Sequence, residues 1–296
     1  MDAPRCVFVG LGPWGRRLLA RVNGYFEVAA LVSTGGREST SWRAVHFPGT
    51  PHFTDLREAL ALPSIRAVFL ATPTRTHAAL ACEALEAGCH VFVEKPLALD
   101  ARGAAQAVSI ARRNGLEVFI GYVYLFHRAL DFLRVAAPME ELHALHFDWV
   151  RARLAGPFHE ELLCHDLAVT IALTGELPEN VVVVESRSRL LHSRIELPSG
   201  RSCESTIQLR NDIPRRRIVK AQFEGGASYT WHDDRVYLPG TPCSDLLDLD
   251  SDDAVTREVR AFRSAIEKTG PRMVEDERLA IGIGRLLEVV SRSVVA

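Results

Sequence analysis

Lys95 and a glycine-rich turn near the start are the residues of this chain whose types and spacing most plainly suit chemistry. Lys95 stands in Glu94-Lys95-Pro96, directly past an apolar run over 90–93 that reads as a buried strand. Ligands of open parallel sheets bind beyond the carboxyl ends of the strands, so this ammonium is placed to meet one. Proline fixes its own φ and restricts the residue before it, so Lys95 is aimed by its backbone. Upstream, Gly10-Leu11-Gly12-Pro13-Trp14-Gly15 follows a short strand and opens a helical pattern. In that context the glycines have separate tasks. Gly10 allows the tight turn, Gly12 lets a pyrophosphate approach the backbone, and Gly15 lets helix and sheet pack closely. N–H groups at the helix start would hold the phosphates. The expected neighbour of Lys95 is therefore a dinucleotide.

NAD-type sites carry an acidic residue near the end of the second strand, for the ribose hydroxyls. This chain has Ser33-Thr34-Gly35-Gly36-Arg37 there, and its first carboxylate is Glu38. Hydroxyls and a guanidinium suit a 2′-phosphate, whose charge a carboxylate would repel. The expected cofactor is NADP rather than NAD, with Ser33, Thr34 and Arg37 as its ligands. The plainer reading of Arg37 is an ordinary solvated loop arginine, and Arg43 could equally fill its role.

These groups need elements to position them. Strand-like runs at 5–9, 27–32, 66–71, 90–93 and 117–120 alternate with helical patterns through 14–22, 55–62 (capped by Thr54), 77–87 and 100–114. That alternation predicts a doubly wound parallel sheet. After Gly121 the rhythm changes. Helical segments at 125–136 and 160–173 are set among strand-like runs at 142–154, 180–187, 190–197, 202–210, 216–224 and 227–238, and helices over 253–268 and 275–293 close the chain. The fold class expected is α/β plus α+β. A Rossmann domain spans 1–122. A substrate-binding and oligomerisation domain on an open, mainly antiparallel sheet spans 123–296, with the closing helix packing back on the first domain.

At 296 residues and 47% hydrophobic content the chain can bury two modest cores. A net charge of −2 gives no global attraction to nucleic acid or to a membrane surface. No run of about 18 apolar residues is present, and the N-terminus lacks a signal-peptide layout. The six cysteines have no CxxC spacing, which fits reduced thiols in the cytoplasm. No histidine and carboxylate cluster has metal-ligand spacing; His143 and His146 fall on opposite faces of one strand. Leu145, Phe147 and Trp149 share one side of that strand, and its other side is expected to meet a second copy, giving a homodimer or homotetramer. Arg215-Arg216-Arg217 with Lys220 reads first as a solvated face, and second as a contact for an anionic substrate.

VGLGPWG near the start, ATPTRTH at the third strand end, VEKPLAL after the fourth and CHD at 164–166 together resemble the Gfo/Idh/MocA oxidoreductase family. The likeness extends over nearly the whole chain. It implies a Rossmann domain, an open-sheet domain, and hydride transfer between a nicotinamide and a secondary alcohol or ketone, often on a sugar. It also implies that Lys95 polarises the reacting oxygen, that Thr72, Pro73 and His77 lie along the cofactor beside Glu94 and Pro96, and that His165 is the acid/base. Histidine suits proton transfer in either direction near neutrality, and a lysine stabilises a developing alkoxide. Relatives carry aspartate four residues before this histidine, where this chain has Glu161; on a regular helix the two share a face. Asp166 reads as a packing or inter-domain residue. GYVYLFHRALDFLR resembles a sugar-nucleotide segment, but Tyr122 and Leu125 replace its histidine and arginine, and Tyr122 becomes a candidate substrate contact.

The resulting expectation is an NADP-dependent oxidoreductase of a sugar or nucleotide sugar, with Lys95 and His165 converging on one nicotinamide. Two other readings stand beside it. One is a reductase of a non-sugar carbonyl or imine in secondary metabolism; the other is a non-catalytic NAD(P)-binding regulator.

Overall fold

The apolar runs of the N-terminal half pair in parallel, as buried strands with helical crossovers must. A computed structural model describes residues 3–136, 138–154, 156–238, 253–270 and 276–295. These divide into two units. The first holds the chain up to Gly121 together with Val255–Gly284, and the second holds Tyr122–Ala254 and the chain from Arg285.

In the first unit, β1 (Arg5–Val9), β2 (Glu27–Val32), β3 (His52–Phe53), β4 (Ile65–Leu70), β5 (His90–Glu94) and β6 (Val118–Gly121) form one sheet in the order β3-β2-β1-β4-β5-β6. All of its pairings are parallel. The strand order reverses between β1 and β4, so the crevice for a ligand lies where those two strands end. Register sets an aromatic ladder across four strands: Phe8 faces Phe69, Phe69 faces Phe92, and Phe92 faces Phe119. Their ring centroids lie 6.1, 5.2 and 5.5 Å apart. Such pairs add about 0.5–1.5 kcal/mol each beyond the area they bury.

The helices α1 (Pro13–Val22), α2 (Arg37–His46), α3 (Leu56–Leu60), α4 (His77–Glu86) and α5 (Ala101–Asn114) connect the strands. Two elements have no counterpart in the sequence reading: α2, over 37–46, where no element is expected, and the two-residue β3. The cap of α3 is also corrected. Asp55, not Thr54, accepts the Arg57 N–H at 2.8 Å.

The second unit is built on a seven-stranded sheet. Its strands are β7 (Leu142–Arg151), β8 (Asn180–Arg187), β9 (Leu190–Glu196), β10 (Ser202–Leu209), β11 (Arg216–Phe223), β12 (Ser228–His232) and β13 (Arg235–Tyr237), in the order β13-β12-β11-β7-β10-β9-β8. Only the β7–β10 pairing is parallel. The single run expected over 227–238 is in fact a hairpin, turning at Asp233 with φ 49°. Helix α6 (Arg128–Ala136) precedes the sheet, and α7 (Cys164–Thr174) packs on β7 with nearly every residue buried. Leu145, Phe147 and Trp149 point to that inner side. The outer side is polar, with ion pairs Arg216–Asp148 at 2.6 Å and Arg194–Glu204 at 2.9 Å.

Two helices lie near the end of the described chain, α8 (Ala254–Ile266) and α9 (Ile283–Val295), the latter entered through a π-helical turn over Arg278–Gly282. The predicted start of the last helix at Glu275, and Cys243, lie outside the described residues. The other five cysteines are buried free thiols.

Candidate active site

The glycine turn shows which glycines the fold itself requires. Gly10 adopts φ +101°, and a Cβ there would sit 2.3 Å from the Ala71 carbonyl oxygen; a Cβ on Gly15 would sit 2.1 Å from that of Gly10. Both positions are closed to side chains by protein backbone. Gly12 differs: it caps α1 with φ −68° and ψ 175°, and a Cβ there would meet nothing within 4 Å. The protein leaves open the space above Gly12 at the N-terminal end of a helix. Pro13 needs no N–H partner at the first helical position, and the Arg16 N–H closes the first helical bond to Gly12 at 2.9 Å. Helix geometry then leaves the Trp14 and Gly15 N–H groups without intrahelical acceptors. Trp14 is partly exposed, and its indole N–H donates to Glu94 Oε1 at 2.5 Å.

Beyond β2, the Ser33 hydroxyl and His52 Nε2 lie 2.9 Å apart. Thr34 and Arg37 are exposed, Arg37 as the first residue of α2. Glu38, the first carboxylate after β2 in sequence, is drawn to Arg16 at 2.8 Å. Partial burial lowers the His52 pKa, and the Arg43 charge adds to that shift, so Arg43 belongs to the same neighbourhood.

Past β4, the Thr72 and Thr76 hydroxyls lie 2.8 Å apart, and Thr76 donates to the Pro73 carbonyl. His77 opens the helix α4 that follows this segment. It is buried to 1% exposure, with Nδ1 2.8 Å from the Pro96 carbonyl oxygen and Nε2 2.8 Å from that of Thr72. Burial lowers its pKa; the two carbonyl contacts oppose the shift, and the Lys95 charge adds to it. His77 is a clamp that ties the segment after β4 to the one after β5. Lys95, half-buried, follows β5 and is joined to Pro96 by a cis peptide.

In the second unit His165 lies one residue into α7 at 7% exposure. Tyr124 meets its ring edge-on at 4.6 Å, Trp149 stacks at 6.2 Å, and Tyr122 lies edge-on at 6.4 Å. Tyr122 is fully buried, and burial raises its phenol pKa further above the ordinary value, with Cys164 adding to the shift. Glu161 falls in a π-helical turn over His159–Leu163 that precedes α7. There the backbone hydrogen bonds reach five residues rather than four, and the turn leads directly into the helix that carries His165. The Glu161 carboxylate passes close to Gly156.

Asp166 is a packing residue within this unit: it accepts from the Trp149 indole at 2.8 Å and the Ser205 hydroxyl at 2.6 Å. Burial pushes its pKa up to about 7 against the opposing pull of Ser205, Trp149 and Arg217.

Two residues near His165 escaped the sequence reading. Tyr124 is the nearest ring to it, yet only Tyr122 was singled out, through its place in the motif. Arg217 was read as part of a solvated cluster, and the strand alternation corrects this. Arg215 is exposed, Arg216 pairs with Asp148, and Arg217 turns inward at 3% exposure between the rings of Tyr124 at 4.0 Å and Trp231 at 4.1 Å. Counting odd and even positions along 215–220 would have found it. Among the described residues no group of histidine, cysteine and carboxylate side chains could hold a metal, and no helix is long and apolar enough to cross a membrane.

A parallel sheet with a glycine cradle at its switch point, joined to a mixed-sheet unit, defines a two-domain nucleotide-dependent oxidoreductase. Residues 4–122 match the model of the Gfo/Idh/MocA family, an oxidoreductase family with an NAD-binding Rossmann fold. It is 27% identical over 237 residues to UDP-N-acetylglucosamine 3-dehydrogenase of Acidithiobacillus ferrooxidans, covering 71% of this chain and 73% of that one. It is 25% identical over 256 residues to a 4-carboxy-2-hydroxymuconate-6-semialdehyde dehydrogenase of a Sphingobium species, covering 78% and 80%. Among solved structures, GenD2 from gentamicin A biosynthesis, in complex with NAD, superposes with a TM-score of 0.81 over 100% of this chain and 95% of that one, at 18% identity. The open space at Gly12 fits the dinucleotide that the family description implies, because no protein atom explains a glycine there.

Proposed function

We propose that the protein is an NADP-dependent oxidoreductase acting on a secondary alcohol or ketone of a sugar or nucleotide sugar. The observation that carries the reading is the open cradle at Gly12, framed by two glycines that the fold itself demands. The N–H groups of Trp14 and Gly15 would hold the pyrophosphate, with Gly10, Gly12 and Pro13 shaping the turn. Thr72, Pro73, Glu94 and Pro96 would flank the nicotinamide half. NADP over NAD is supported by the residues after β2: Ser33, Thr34 and Arg37 supply donors, and Glu38 is engaged by Arg16. Bound there, the nicotinamide would give or take the hydride. The Lys95 ammonium would stabilise negative charge on the substrate oxygen, and His165 would carry its proton. Glu161 would assist through the field of its carboxylate, and Tyr122 would form part of the substrate wall.

The sugar reading is supported by the nucleotide-sugar relative, which acts on UDP-N-acetylglucosamine. The semialdehyde dehydrogenase relative favours a non-sugar carbonyl as the second reading. We place a homodimer or homotetramer contact on the outer face of the seven-stranded sheet, where Val182 and Val184 are exposed.

The test is turnover of NADPH with a panel of keto-sugars, nucleotide sugars and semialdehydes. Lys95→Ala is expected to abolish turnover while NADPH still binds, and His165→Ala to lower it by about 10² or more. Tight NADPH binding by the wild type with no turnover on any substrate would instead support the regulator.

A further inference from the structure

Glu258 on α8 has no exposed surface, and neither of its carboxyl oxygens has a hydrogen-bond partner. An ionised carboxylate left so is strongly disfavoured, so its neighbours decide its state. Phe262, one helical turn later, packs on the ring of Phe92 in β5 at 5.7 Å. Arg260 donates to the Tyr25 hydroxyl and Arg263 to the Tyr25 carbonyl, each at 3.0 Å. Tyr25 lies just before β2, so the later part of α8 sits at the amino ends of the strands and α8 runs antiparallel to β5. Stepping back one turn from Phe262 to Glu258 covers about 6 Å. Stepping forward two residues from Phe92 to Glu94 covers about the same distance in the same direction.

Glu94 shares a face with Phe92 by strand alternation. A Cβ on Gly121 would touch the Phe92 ring at 3.1 Å and Glu94 Oε1 at 3.3 Å, which puts both on the side where α8 packs. Burial holds the Glu258 pKa well above the usual carboxyl range, and the charge of Glu94 pushes it the same way. Glu94 in turn receives the Trp14 indole N–H from the glycine turn.

We propose that Glu258 is held as the neutral acid and donates its proton in a hydrogen bond to the Glu94 carboxylate. The resulting strut, Glu258–Glu94–Trp14, fixes the glycine turn against the strand end that carries Lys95. Glu258 is thus a positioning residue of the dinucleotide site, a role that rests on the reading of Gly12 given above. It touches neither cofactor nor substrate.

Glu258→Gln keeps a donor of the same shape, and Glu258→Leu keeps bulk without a donor. Purified variants would be titrated with NADPH and melted without it, and the carboxyl C=O stretch of the apo proteins recorded by infrared spectroscopy. Glu258→Gln is expected to bind like wild type and to lose a protonated-acid band that wild type shows at neutral pH. Glu258→Leu is expected to bind about tenfold more weakly, one lost hydrogen bond to a charged group. Its melting temperature should fall somewhat, because the buried Glu94 carboxylate loses a donor, and the melt shows that the titrated variant is folded. Wild-type affinity in a folded Glu258→Leu, or no band difference in Glu258→Gln, overturns the proposal. Should Glu258→Leu not fold, the Gln variant and its spectrum decide. If wild type binds neither NADPH nor NADH, the dinucleotide reading fails, and the infrared comparison still tests the acid pair.

Discussion

Replacing Gly12 with valine separates what the glycine turn does for folding from what it does for a ligand. Gly12 has an extended backbone conformation open to any residue, and a Cβ meets no protein atom within 4 Å. The stability cost is therefore that of a poorer helix cap, about 1 kcal/mol or less, or a shift of roughly 2–4 °C in melting temperature. Gly15→Ala is the internal control. Its Cβ would stand 2.1 Å from the Gly10 carbonyl oxygen, so backbone must move, at a cost of about 1–3 kcal/mol or more. For binding, the valine side chain would fill the space from which a pyrophosphate reaches the N–H groups of Trp14 and Gly15. Two lost hydrogen bonds to a charged group, at about 1.5–3 kcal/mol each, correspond to a loss of roughly 10²–10⁴ in Kd. Fluorescence titration with NADPH and thermal melts of the ligand-free proteins measure both quantities. Undiminished NADPH affinity in Gly12→Val would refute the assignment of the cradle. So would a fall in melting temperature matching that of Gly15→Ala, since Gly12 would then be a structural glycine.

Arg37→Ala is expected to weaken NADPH more than NADH in the same titration, and equal effects would remove Arg37 as the 2′-phosphate ligand. Asp166, with its pKa pushed up to about 7 in the fold, binds its proton more tightly folded than unfolded. Stability contributed by this group should thus fall as pH rises from about 4 to 7 and level off above. Asp166→Asn, which can still accept from Trp149 and donate to Ser205, should flatten that part of a urea-midpoint profile. An unchanged slope would mean that Asp166 titrates alike in both states.

Much of the first unit was legible because its signals are local. Strands buried on both faces read as continuous apolar runs, as in CVFV and AVFL. Gly88 and Gly115 stop their helices visibly, both with positive φ. Helix α2 was hidden because Ser33 to Gly36 reads as a turn and RESTSWRAVH buries no residue, leaving no apolar stripe to detect. The π-helical turn before α7 was hidden for a different reason. Hydrogen-bond register inside a helix leaves no mark on residue types, so the turn that carries Glu161 reads as ordinary α-helix. The hairpin over 228–237 was read as one strand because Asp233-Asp234 lacks the glycine that usually marks a tight turn.

Glu258 shows where the limit lies. Helix α8 buries Val255, Val259, Phe262 and Ile266 along one side, and Glu258 falls inside that stripe. The periodicity alone therefore says that this carboxyl is buried, since a solvated glutamate would sit on the face of Arg257 and Arg260. What periodicity cannot supply is the partner, because Glu94 is far away in sequence and becomes a neighbour only through the packing of Phe262 on Phe92. A polar residue inside an apolar stripe is thus a long-range constraint written in local code. The fold must bring it a partner or keep it uncharged, and here Glu94, one residue before Lys95, is the group through which both conditions are met.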